Sequence, residues 1–513
     1  MTLWILFACA QVEHKKCCLT DQPSIRDSGR FNASSPSTER DSIDDLVDRP
    51  SQSCEAQDAG FIDCSNLIEG NSSQKRYGIA VTDINHDGDF EAVVTGYGHS
   101  NQIWDWSEGK LIDITPESLK DPDRKAIGVA ACDVDRDGKE EIYFLNVDQF
   151  GGLGEVTDRL YDFENGTWND LFELDENLNQ VNRFSGRSVA CVDRLYTGQY
   201  GIFVANYGGP MKLFEVDNGF ISDVGPQAGV DYTTGGRALV SLPIFEEGMH
   251  IFAGNEQGSN FMFQNKGDGT FSEIAAHIGI QDTYETVRGT TTLDIDDDGD
   301  FDLVYGNWEG PHRMWTWNGT SFEDKTPSQM QTASRIRTII SADFDNDGNE
   351  ELFFNNIGEA NRLFRRDAQG QWIEGVIGDA VESDGLGTGA AVLDLNGDGQ
   401  LELLVAHGES APQPLSLYRW PQNDNNYIRI LPKTQHGAPA RGAVVKVVTP
   451  SKTHLRQIDA GSGYLCQMEP VAHVGLGSEN TISSIQVVWP DGTQENVGFT
   501  EINQSIVIEY PEE

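Results

Sequence analysis

Short apolar runs alternate with acidic or glycine-rich turns along most of the chain. Residues 289–293 form one such run, residues 303–305 form the next, and a stretch dense in aspartate separates them. Runs of this length that are rich in β-branched and aromatic residues predict strands rather than helices. The pattern therefore predicts an all-β protein built from many short strands.

The alternation has a period close to 50 residues. An acidic turn between two strand-like runs begins at each of five aspartates, and intact neighbouring copies begin 50, 49 and 51 residues apart (83 to 133, 294 to 343 and 343 to 394). Residues 188–198 and 238–248 fill the gap with two more copies, which keep the strand-like runs but not the acidic turn. A unit of this length with four strand-like runs is typical of a propeller blade.

The fourth run of a unit has its own signature, an aromatic residue or leucine followed closely by an acid. Six copies follow the first six turns, at residues 111–113, 168–170, 220–223, 271–273, 322–324 and 372–374. The seventh copy stands ahead of the first turn, at residues 60–64. We therefore predict a seven-bladed β-propeller closed by an N-terminal strand, because this closure leaves no open sheet edge. In the alternative, an open solenoid, a strand displaced to the N-terminal end would have no last blade to complete.

The pattern changes after residue 420. Alternating strands are predicted at residues 427–430, 443–448, 484–488 and 505–508, separated by Gly, Asn-Asp and Pro-Asp-Gly turns and without an acidic loop. The sequence therefore predicts a propeller over residues 58–420 and a small separate β domain over residues 421–513.

The first part of the chain has a different composition. Residues 19–57 are rich in Ser, Asp, Arg and Pro without apolar periodicity, which predicts a disordered linker. Residues 1–18 contain a short apolar run at 3–10 that is too short to span a bilayer. We interpret it as an export signal with a cleavage site at residues 8–10. Alternatively, it resembles a bacterial lipobox in which Cys9 carries the lipid.

Each acidic turn has the spacing of a calcium loop. In the copy that begins at Asp294, oxygen-bearing side chains stand at positions 1, 3, 5 and 9, and Gly299 stands at position 6. Calcium takes six to eight oxygen ligands at about 2.3–2.6 Å, and position 7 most readily offers its backbone carbonyl. An EF-hand is excluded, since the flanks are strand-like and position 12 is the apolar Tyr305 rather than a glutamate.

Five loops keep this set and predict about five Ca²⁺ ions per chain. The predicted ligands, at positions 1, 3, 5, 7 and 9 of each loop, are Asp83, Asn85, Asp87, Asp89 and Glu91; Asp133, Asp135, Asp137, Lys139 and Glu141; Asp294, Asp296, Asp298, Asp300 and Asp302; Asp343, Asp345, Asp347, Asn349 and Glu351; and Asp394, Asn396, Asp398, Gln400 and Glu402. The two degenerate loops lack these oxygens, and we expect them to bind calcium poorly.

The net charge of −46 narrows the choice of partner. Five bound Ca²⁺ ions would reduce it only to roughly −36. A nucleic acid or an anionic membrane is therefore a disfavoured partner, because phosphate binding needs clustered Lys and Arg.

Eight cysteines are present, and none has a metal-type spacing. Cys54 and Cys64 bracket a short loop and could form a disulfide. Cys132 and Cys191 lie beside the loop starts of neighbouring units, on strands that we expect to be buried. We interpret these two as small hydrophobic core residues.

The repeats resemble the FG-GAP or VCBS propeller repeats that also occur in integrin α chains. The motifs at residues 441–443, 461–466, 473–477 and 488–492 resemble the ASPIC/UnbV domain. Their combination, together with residues 305–308 and 311–313, resembles the cartilage acidic protein family. The resemblance implies a secreted, calcium-binding, non-enzymatic interaction or adhesion protein with an extracellular protein or glycan as its partner. Bacterial members of this group imply a cell-surface lipoprotein as the alternative.

Two other functions would each need particular residues of the chain. A hydrolase or lyase in the propeller channel would need acid/base groups such as His407 or His473, but a His packed in a turn is the simpler interpretation. The sequence contains no nucleophile elbow, P-loop or HExxH motif. A lectin-like propeller would use Trp308, Trp315, Trp372 or Trp420 to stack on sugars, but packing in the core or between blades is the favoured interpretation of tryptophans at this spacing.

Overall fold

The computed structural model describes residues 60–245, 248–256, 258–498 and 501–511. These residues form strands with only short helical turns between them, so the all-β prediction is confirmed. None of the helices in these ranges has the length and apolar content needed to span a bilayer. The predicted leader at 1–18, the linker at 19–57 and the cysteines Cys9 and Cys54 lie outside the described residues.

Residues 62–419 form seven groups of four antiparallel strands, which we name blades 1 to 7 in chain order. Blades 1 to 3 contain β2 (Arg76–Thr82), β3 (Glu91–Gly96), β4 (Gln102–Ser107) and β5 (Lys110–Asp113); β6 (Ala126–Cys132), β7 (Glu141–Asn146), β8 (Arg159–Glu164) and β9 (Thr167–Asp170); and β10 (Gly186–Val192), β11 (Gly201–Pro210), β12 (Lys212–Asp217) and β13 (Phe220–Asp223). Blades 4 to 6 contain β14 (Thr233–Ser241), β15 (Ile251–Asn255), β16 (Phe261–Asn265) and β17 (Phe271–Glu273); β18 (Val287–Leu293), β19 (Asp302–Asn307), β20 (Arg313–Trp317) and β21 (Phe322–Asp324); and β22 (Ile336–Ala342), β23 (Glu351–Asn356), β24 (Arg362–Arg366) and β25 (Trp372–Glu374). Blade 7 contains β26 (Gly387–Leu393), β27 (Glu402–His407) and β28 (Ser416–Arg419), together with the N-terminal strand β1 (Ile62–Asp63).

Short helices connect some blades. They are the 3₁₀ turns Ser65–Leu67, Glu117–Leu119, Leu171–Glu173 and Asp379–Val381, and the α-helical turns α1 (Gly225–Ala228) and α2 (Ala275–Ile278).

The first strands of the blades lie next to one another in chain order, and β26 of blade 7 contacts β2 of blade 1. Strand β1 completes blade 7 by pairing antiparallel with β28, with Ile62 opposite Arg419. An additional pairing of β11 with β14 joins blades 3 and 4 into one sheet. The first two strands of most blades are buried on both faces, which explains their nearly continuous apolar sequences. The arrangement is that of a propeller.

Residues 426–508 form two further sheets. One contains β29 (Asn426–Pro432), β32 (Ala472–Gly477) and β35 (Ser505–Ile508); the other contains β30 (Val444–Val448), β31 (Thr453–Gln457), β33 (Ser484–Val488) and β34 (Gln494–Val497). The four strands expected from the sequence are present. Strands β31 and β34 were missed because their polar residues hide the alternation, and β32 was missed as well. The division of the chain at residue 420 stays a prediction.

A segment between β31 and β32, residues 459–469, enters the space enclosed by the first strands of the blades. Its backbone pairs with β18 through mutual hydrogen bonds of Thr290 and Gly463, at 2.8 and 2.7 Å. It also bonds to β2, where Val81 donates to the Gln467 carbonyl at 3.1 Å, and to β10, where Cys191 donates to the Ala460 carbonyl at 2.7 Å. The inserted segment therefore ties several blades together from the inside.

Glycine is required where the inserted segment passes close to the first strands. Gly461 has φ +126°, and a Cβ there would lie 2.8 Å from the Cα of Ala190. On the blade side, a Cβ at Gly78 would lie 2.4 Å from the Leu465 carbonyl oxygen. The glycine-rich motif at residues 461–466 therefore reflects the narrow space that the segment occupies.

The interpretation of Cys132 and Cys191 as simple core residues was wrong. Their sulfurs form a disulfide, with the two Cα atoms 6.3 Å apart, between the first strands of blades 2 and 3. Burial alone favours a small apolar residue, but these two positions face each other across adjacent blades, a relationship that only the tertiary structure supplies. Cys466, in the inserted segment, is a free buried thiol. The Cys54–Cys64 pairing involves an undescribed residue and stays a prediction.

We expect the disulfide to stabilise the protein by cross-linking the unfolded chain across 59 residues. The double substitution Cys132→Ala with Cys191→Ala should lower the free energy of unfolding by about 4 kcal/mol, because the unfolded chain regains loop entropy. Urea unfolding of the calcium-loaded protein measures this, with Cys466→Ala as the control for loss of a buried thiol. Equal unfolding midpoints for the two variants would show that the cross-link contributes no stability.

Candidate metal centres

The five acidic loops connect the first and second strands of blades 1, 2, 5, 6 and 7, and we name them metal loops 1, 2, 5, 6 and 7. In each of them a carboxylate at position 9 accepts a hydrogen bond from the backbone N–H of position 2. The pairs are Glu91 with Ile84 at 2.7 Å, Glu141 with Val134 at 2.7 Å, Asp302 with Ile295 at 2.8 Å, Glu351 with Phe344 at 3.1 Å and Glu402 with Leu395 at 2.8 Å. A buried acid at the first residue of the second strand thus holds each loop against its sheet.

The position 1 aspartate closes the turn in the same way in all five loops. Its carboxylate accepts the N–H of the position 6 glycine, at 3.0 Å for Asp83, 3.1 Å for Asp133, 3.1 Å for Asp294, 3.0 Å for Asp343 and 2.9 Å for Asp394. The glycines have φ between +82° and +99°, a region that L side chains rarely adopt.

Position 4 is also left-handed, which the sequence reasoning missed. His86, Arg136, Asp297 and Asn346 have φ between +57° and +71°, and Gly397 stands there in loop 7. Asn, Asp and Gly at three of the five positions were the available signal.

Acidic ligands converge in three of the loops. Oxygens of Asp133, Asp135 and Glu141, of Asp294, Asp296 and Asp302, and of Asp343, Asp345 and Asp347 lie within 4.8 Å of one another in each group. Loops 1 and 7 have asparagine at position 3. There Asn85 donates to Glu91 at 3.0 Å, and Asn396 donates to Asp398 at 2.9 Å. The structure therefore brings three predicted acidic ligands together in each of metal loops 2, 5 and 6, and the remaining predicted ligands stay predictions.

Two buried carboxylate oxygens test whether the loops suit a cation. Glu141 Oε1 in loop 2 and Asp343 Oδ1 in loop 6 are buried and accept no hydrogen bond from the described residues. Leaving a carboxylate oxygen buried without a partner is costly, and a hard cation is the partner that such oxygens prefer. The residues present in the loops fit a calcium ion.

The pKa values of several loop carboxyls lie well above their usual range when no cation is bound. Burial raises the pKa of Glu91 to about 8, and the neighbouring Asp83 and Asp87 raise it further while the Ile84 N–H opposes the shift. Burial likewise raises the pKa of Asp302 to about 8 and that of Asp133 to about 7. A divalent cation would compensate this crowded negative charge.

The degenerate loop of blade 3 has the same backbone shape without the ligand set. Asp193 at position 1 accepts the N–H of Gly198 at 2.7 Å and of Thr197 at 2.8 Å, and Tyr196 at position 4 has φ +59°. Leu195 occupies position 3, where the metal loops have Asp or Asn. The fold of the turn therefore needs only the first aspartate and the glycine. The blade 4 loop includes residues 246–247, which are not described.

The C-terminal sheets pack directly on metal loops 6 and 7. The Gly475 N–H donates to Asp343 at 3.0 Å, and the Arg429 guanidinium lies 3.3 Å from Asp394 and 2.8 Å from Glu469. Beside loop 2, the fully buried Arg441 pairs with Glu140 at 2.8 Å. Sequence reasoning did not identify these contacts, because nothing in the chain order indicates which loops the C-terminal part covers.

The residues considered for catalysis have structural contacts. His407 bonds to Glu382 at 3.0 Å and to the Pro414 carbonyl at 2.8 Å, and His473 bonds to Asn346 at 2.6 Å. Both histidines are buried.

The tryptophans considered for sugar binding pack against protein groups. Trp308 lies under the guanidinium of Arg337 at 4.5 Å, Trp372 contacts Arg366 at 5.6 Å, and Trp420 packs edge-on against Phe61 at 5.1 Å. Trp315 is half-buried beside the core of blades 4 and 5.

Comparison with known proteins identifies both parts of the chain. The family described as "ASPIC and UnbV" matches residues 433–513, and the family described as "FG-GAP-like repeat" matches residues 70–144, 294–354 and 343–405. The FG-GAP matches include the five metal loops and leave out the blades with degenerate loops.

Relatives that are similar over most of their length carry the name cartilage acidic protein 1. The protein of that name from Xenopus tropicalis is 46% identical over 487 residues, covering 87% of this chain and 75% of the relative. The one from Homo sapiens is 45% identical over 485 residues, covering 86% and 73%. The solved structure of BBS1N in complex with ARL6DN aligns with a TM-score of 0.44 at 11% identity, covering 69% of this chain and 95% of that one, a likeness too weak to bear on function.

The raised carboxyl pKa values predict how the stability of the calcium-free protein depends on pH. Carboxyls with a folded pKa of about 8, such as Glu91 and Asp302, bind protons more tightly than in the unfolded chain. Their contribution to stability is therefore complete below about pH 4 and is lost as the pH rises through about 8. Thermal melts in EGTA should show a falling Tm over this range. Calcium should reduce the fall, and a Tm in EGTA that rises with pH would contradict the assignment.

Substitution of one ligand that has no hydrogen-bond partner among the described residues should reduce the stabilisation by calcium without destabilising the calcium-free protein. Glu141→Gln deletes a buried charge, so the stability in EGTA should be unchanged or higher. The gain from calcium should fall by about 2.7 kcal/mol if calcium is present at 100 times its Kd. Chemical denaturation in calcium and in EGTA measures both.

The matched control for this substitution is Asp193→Asn, in the loop that has the same shape but lacks the ligand set. We expect it to lower stability equally in both buffers. A Glu141→Gln protein that behaves like this control would exclude Glu141 as a metal ligand.

Proposed function

The chain belongs to the cartilage acidic protein family, and on that premise we propose that it is a calcium-binding, non-enzymatic interaction protein of the extracellular space. Five Ca²⁺ ions would bind in metal loops 1, 2, 5, 6 and 7 through the side chains at positions 1, 3, 5 and 9 and the carbonyl at position 7. The observation that carries the proposal is the repeated set of buried carboxylates, including two oxygens that have no hydrogen-bond partner in the part of the chain that the structure describes.

The role of the metal in this proposal is structural. Each loop gathers carboxylates at the connection between the first and second strands of a blade, where they repel one another and are partly removed from water. Calcium would neutralise the group and hold the connection in one conformation. In loops 6 and 7 it would also stabilise the surface on which Gly475 and Arg429 dock, since these residues contact the position 1 aspartates.

The extracellular location has support from the chemistry of the cysteines. A disulfide such as Cys132–Cys191 persists in oxidising compartments and is uncommon where thiols are kept reduced. Calcium-loaded structural sites of modest affinity also suit an environment with millimolar calcium. The alternative of a bacterial cell-surface lipoprotein shares both conditions and differs only in how the chain is anchored.

A non-enzymatic role is favoured by the way the channel is filled. The inserted segment, residues 459–469, occupies the space where a propeller enzyme could hold its substrate, and Tyr464 and Cys466 within it are buried. The lectin alternative has less support, because Trp308, Trp372 and Trp420 already pack against protein groups. The partner class that remains favoured is an extracellular protein or glycan recognised at the outer surface.

The experiment that tests the proposal counts the metal and measures its effect. Native mass spectrometry of the purified protein should find about five calcium ions per chain. Removal with EGTA should lower the Tm, because a ligand that binds only the folded state stabilises it. Magnesium at the same concentration is the control, since it demands a smaller and more regular oxygen shell. A protein that contains no metal and whose Tm does not change when calcium is added would overturn the proposal. Calcium-dependent binding to a glycan array would identify the partner as a glycan rather than a protein.

A further inference from the structure

Four arginines at equivalent positions converge at one end of the channel. Arg187, Arg237, Arg288 and Arg337 stand in the first strands of blades 3, 4, 5 and 6, four or five residues before the end of the strand, and they are 50, 51 and 49 residues apart (187 to 237, 237 to 288 and 288 to 337). The metal loops follow the ends of the first strands, so the arginines lie at the opposite end of the channel. Their side chains are between 4% and 8% exposed.

A bulge in each first strand places these arginines. The pairing register with the second strand shifts between Gly186 and Ser188, Gly236 and Ala238, Val287 and Thr290, and Ile336 and Thr338. Each shift includes the arginine. A bulge leaves an extra residue outside the ladder and redirects its side chain. The same irregularity in blades 1, 2 and 7 carries Tyr77, Ile127 and Thr388 instead.

The four side chains surround the tip of the inserted segment. Arg337 lies 5.9 Å from the ring of Tyr464. Burial alone would raise the pKa of the Tyr464 phenol, but the positive charges of Arg237, Arg337, Arg187 and Arg288 together lower it. The pKa of Arg288 falls to about 9 because of burial and of the neighbouring Arg237. The guanidinium groups are therefore close enough to repel one another.

The positive charge is only half compensated by the described residues. Glu256 pairs with Arg237 and lies 3.3 Å from Arg288, and Glu409 pairs with Arg337 at 2.7 Å. Within the described chain, Arg187 contacts no carboxylate and donates only to the Phe150 carbonyl. Four guanidinium groups against two carboxylates leave two positive charges in a buried cluster.

Several donors in the cluster lack an acceptor. The Nε atoms of Arg187, Arg288 and Arg337 are buried and have no hydrogen-bond partner among the described residues. Aromatic faces cover part of the cluster, with Phe150 over Arg187 at 5.2 Å and over Arg237 at 5.3 Å. The faces of these rings attract the guanidinium cations, but the rings carry no net charge and cannot replace a hydrogen-bond acceptor for the guanidinium N–H groups. A buried, unbalanced group of donors of this kind needs an anion.

We propose that Arg187, Arg237, Arg288 and Arg337 form a binding site for a small divalent oxyanion of the sulfate or phosphate class, beside Tyr464. A divalent oxyanion supplies the two missing negative charges, and its oxygens match the forked N–H groups of arginine. The Phe150 side chain is 60% exposed and covers two of the arginines, so its movement provides the access. The net charge of −46 does not keep anions away from this site, because salt screens the repulsion from carboxylates that lie more than about 8 Å away.

Equilibrium dialysis with radiolabelled sulfate tests the site in the calcium-loaded full chain at constant ionic strength. We expect a single saturable sulfate site per chain. Because a tightly held anion survives purification, the same preparation is denatured and its released sulfate and phosphate are counted by ion chromatography. A protein that neither binds sulfate nor releases a stoichiometric oxyanion overturns the proposal.

Two substitutions with opposite expected effects on the affinity for sulfate locate the site. Arg187→Gln removes one positive charge and a donor, and should weaken sulfate binding about tenfold or more. Glu409→Gln removes one compensating negative charge and should strengthen binding. The Glu409 side chain is 29% exposed, so we expect its substitution to be tolerated by the fold. The Glu409→Gln variant therefore tests the site even if Arg187→Gln fails to fold. Arg362→Gln is the matched control, because Arg362 pairs with Glu374 outside the cluster. Sulfate binding that is unchanged by both Arg187→Gln and Glu409→Gln would contradict the assignment.

Competition distinguishes the source of the anion. Glucose 6-phosphate carries a dianionic oxyanion of the same class on a larger molecule, because the second pKa of a phosphate monoester is about 6. If it displaces labelled sulfate, the site accepts an oxyanion that projects from a saccharide. If only free sulfate and phosphate compete, the site holds a bare ion. Both results support the proposal, and they assign different ligands.

Discussion

Crowded carboxylates at the strand connections are the constraint on which the rest of the structure depends. In five blades the second strand begins with a buried acid that accepts an N–H from the turn before it, and the turn begins with an aspartate that accepts the glycine N–H. These bonds give the connection its shape, as the blade 3 loop demonstrates without the other ligands. They also concentrate negative charge that the protein itself leaves partly uncompensated, since Glu141 Oε1 and Asp343 Oδ1 have no hydrogen-bond partner among the described residues.

The C-terminal part of the chain is built around the same loops. Gly475 and Arg429 contact the first aspartates of metal loops 6 and 7, and the buried Arg441 contacts Glu140 next to a ligand of loop 2. From this side of the propeller the inserted segment extends between the first strands and bonds to several blades. The C-terminal sheets therefore act as more than an appended module, because their contacts join loops and strands that are distant in sequence.

The first strands connect two regions of opposite charge. In five blades an acidic loop follows the end of the first strand, and in blades 3 to 6 an arginine lies four or five residues before that end. A propeller repeats each strand position around one axis, so a residue type that recurs at one position in neighbouring blades becomes a cluster in space. The repeat thus concentrates carboxylates at one end of the channel and guanidinium groups at the other, and the inserted segment separates the two.

The sequence by itself determined the repeat, the strand pattern of the propeller and the composition of the metal loops. These features depend on residues close together in the chain, such as the alternation around Asp294 and the displaced strand at residues 60–64, and on a period that can be counted. The paired cysteines, the contact of Arg429 with Asp394 and the convergence of four arginines were decided only by the tertiary structure. They depend on which blades are neighbours, on where the C-terminal sheets dock and on bulges that redirect single side chains. The cysteine pair and the docking of Arg429 leave no local signal, because the energy that selects them comes from packing between residues far apart in the chain. The arginines do recur at the period of the blades, but the bulges that turn their side chains toward one another are visible only in the structure.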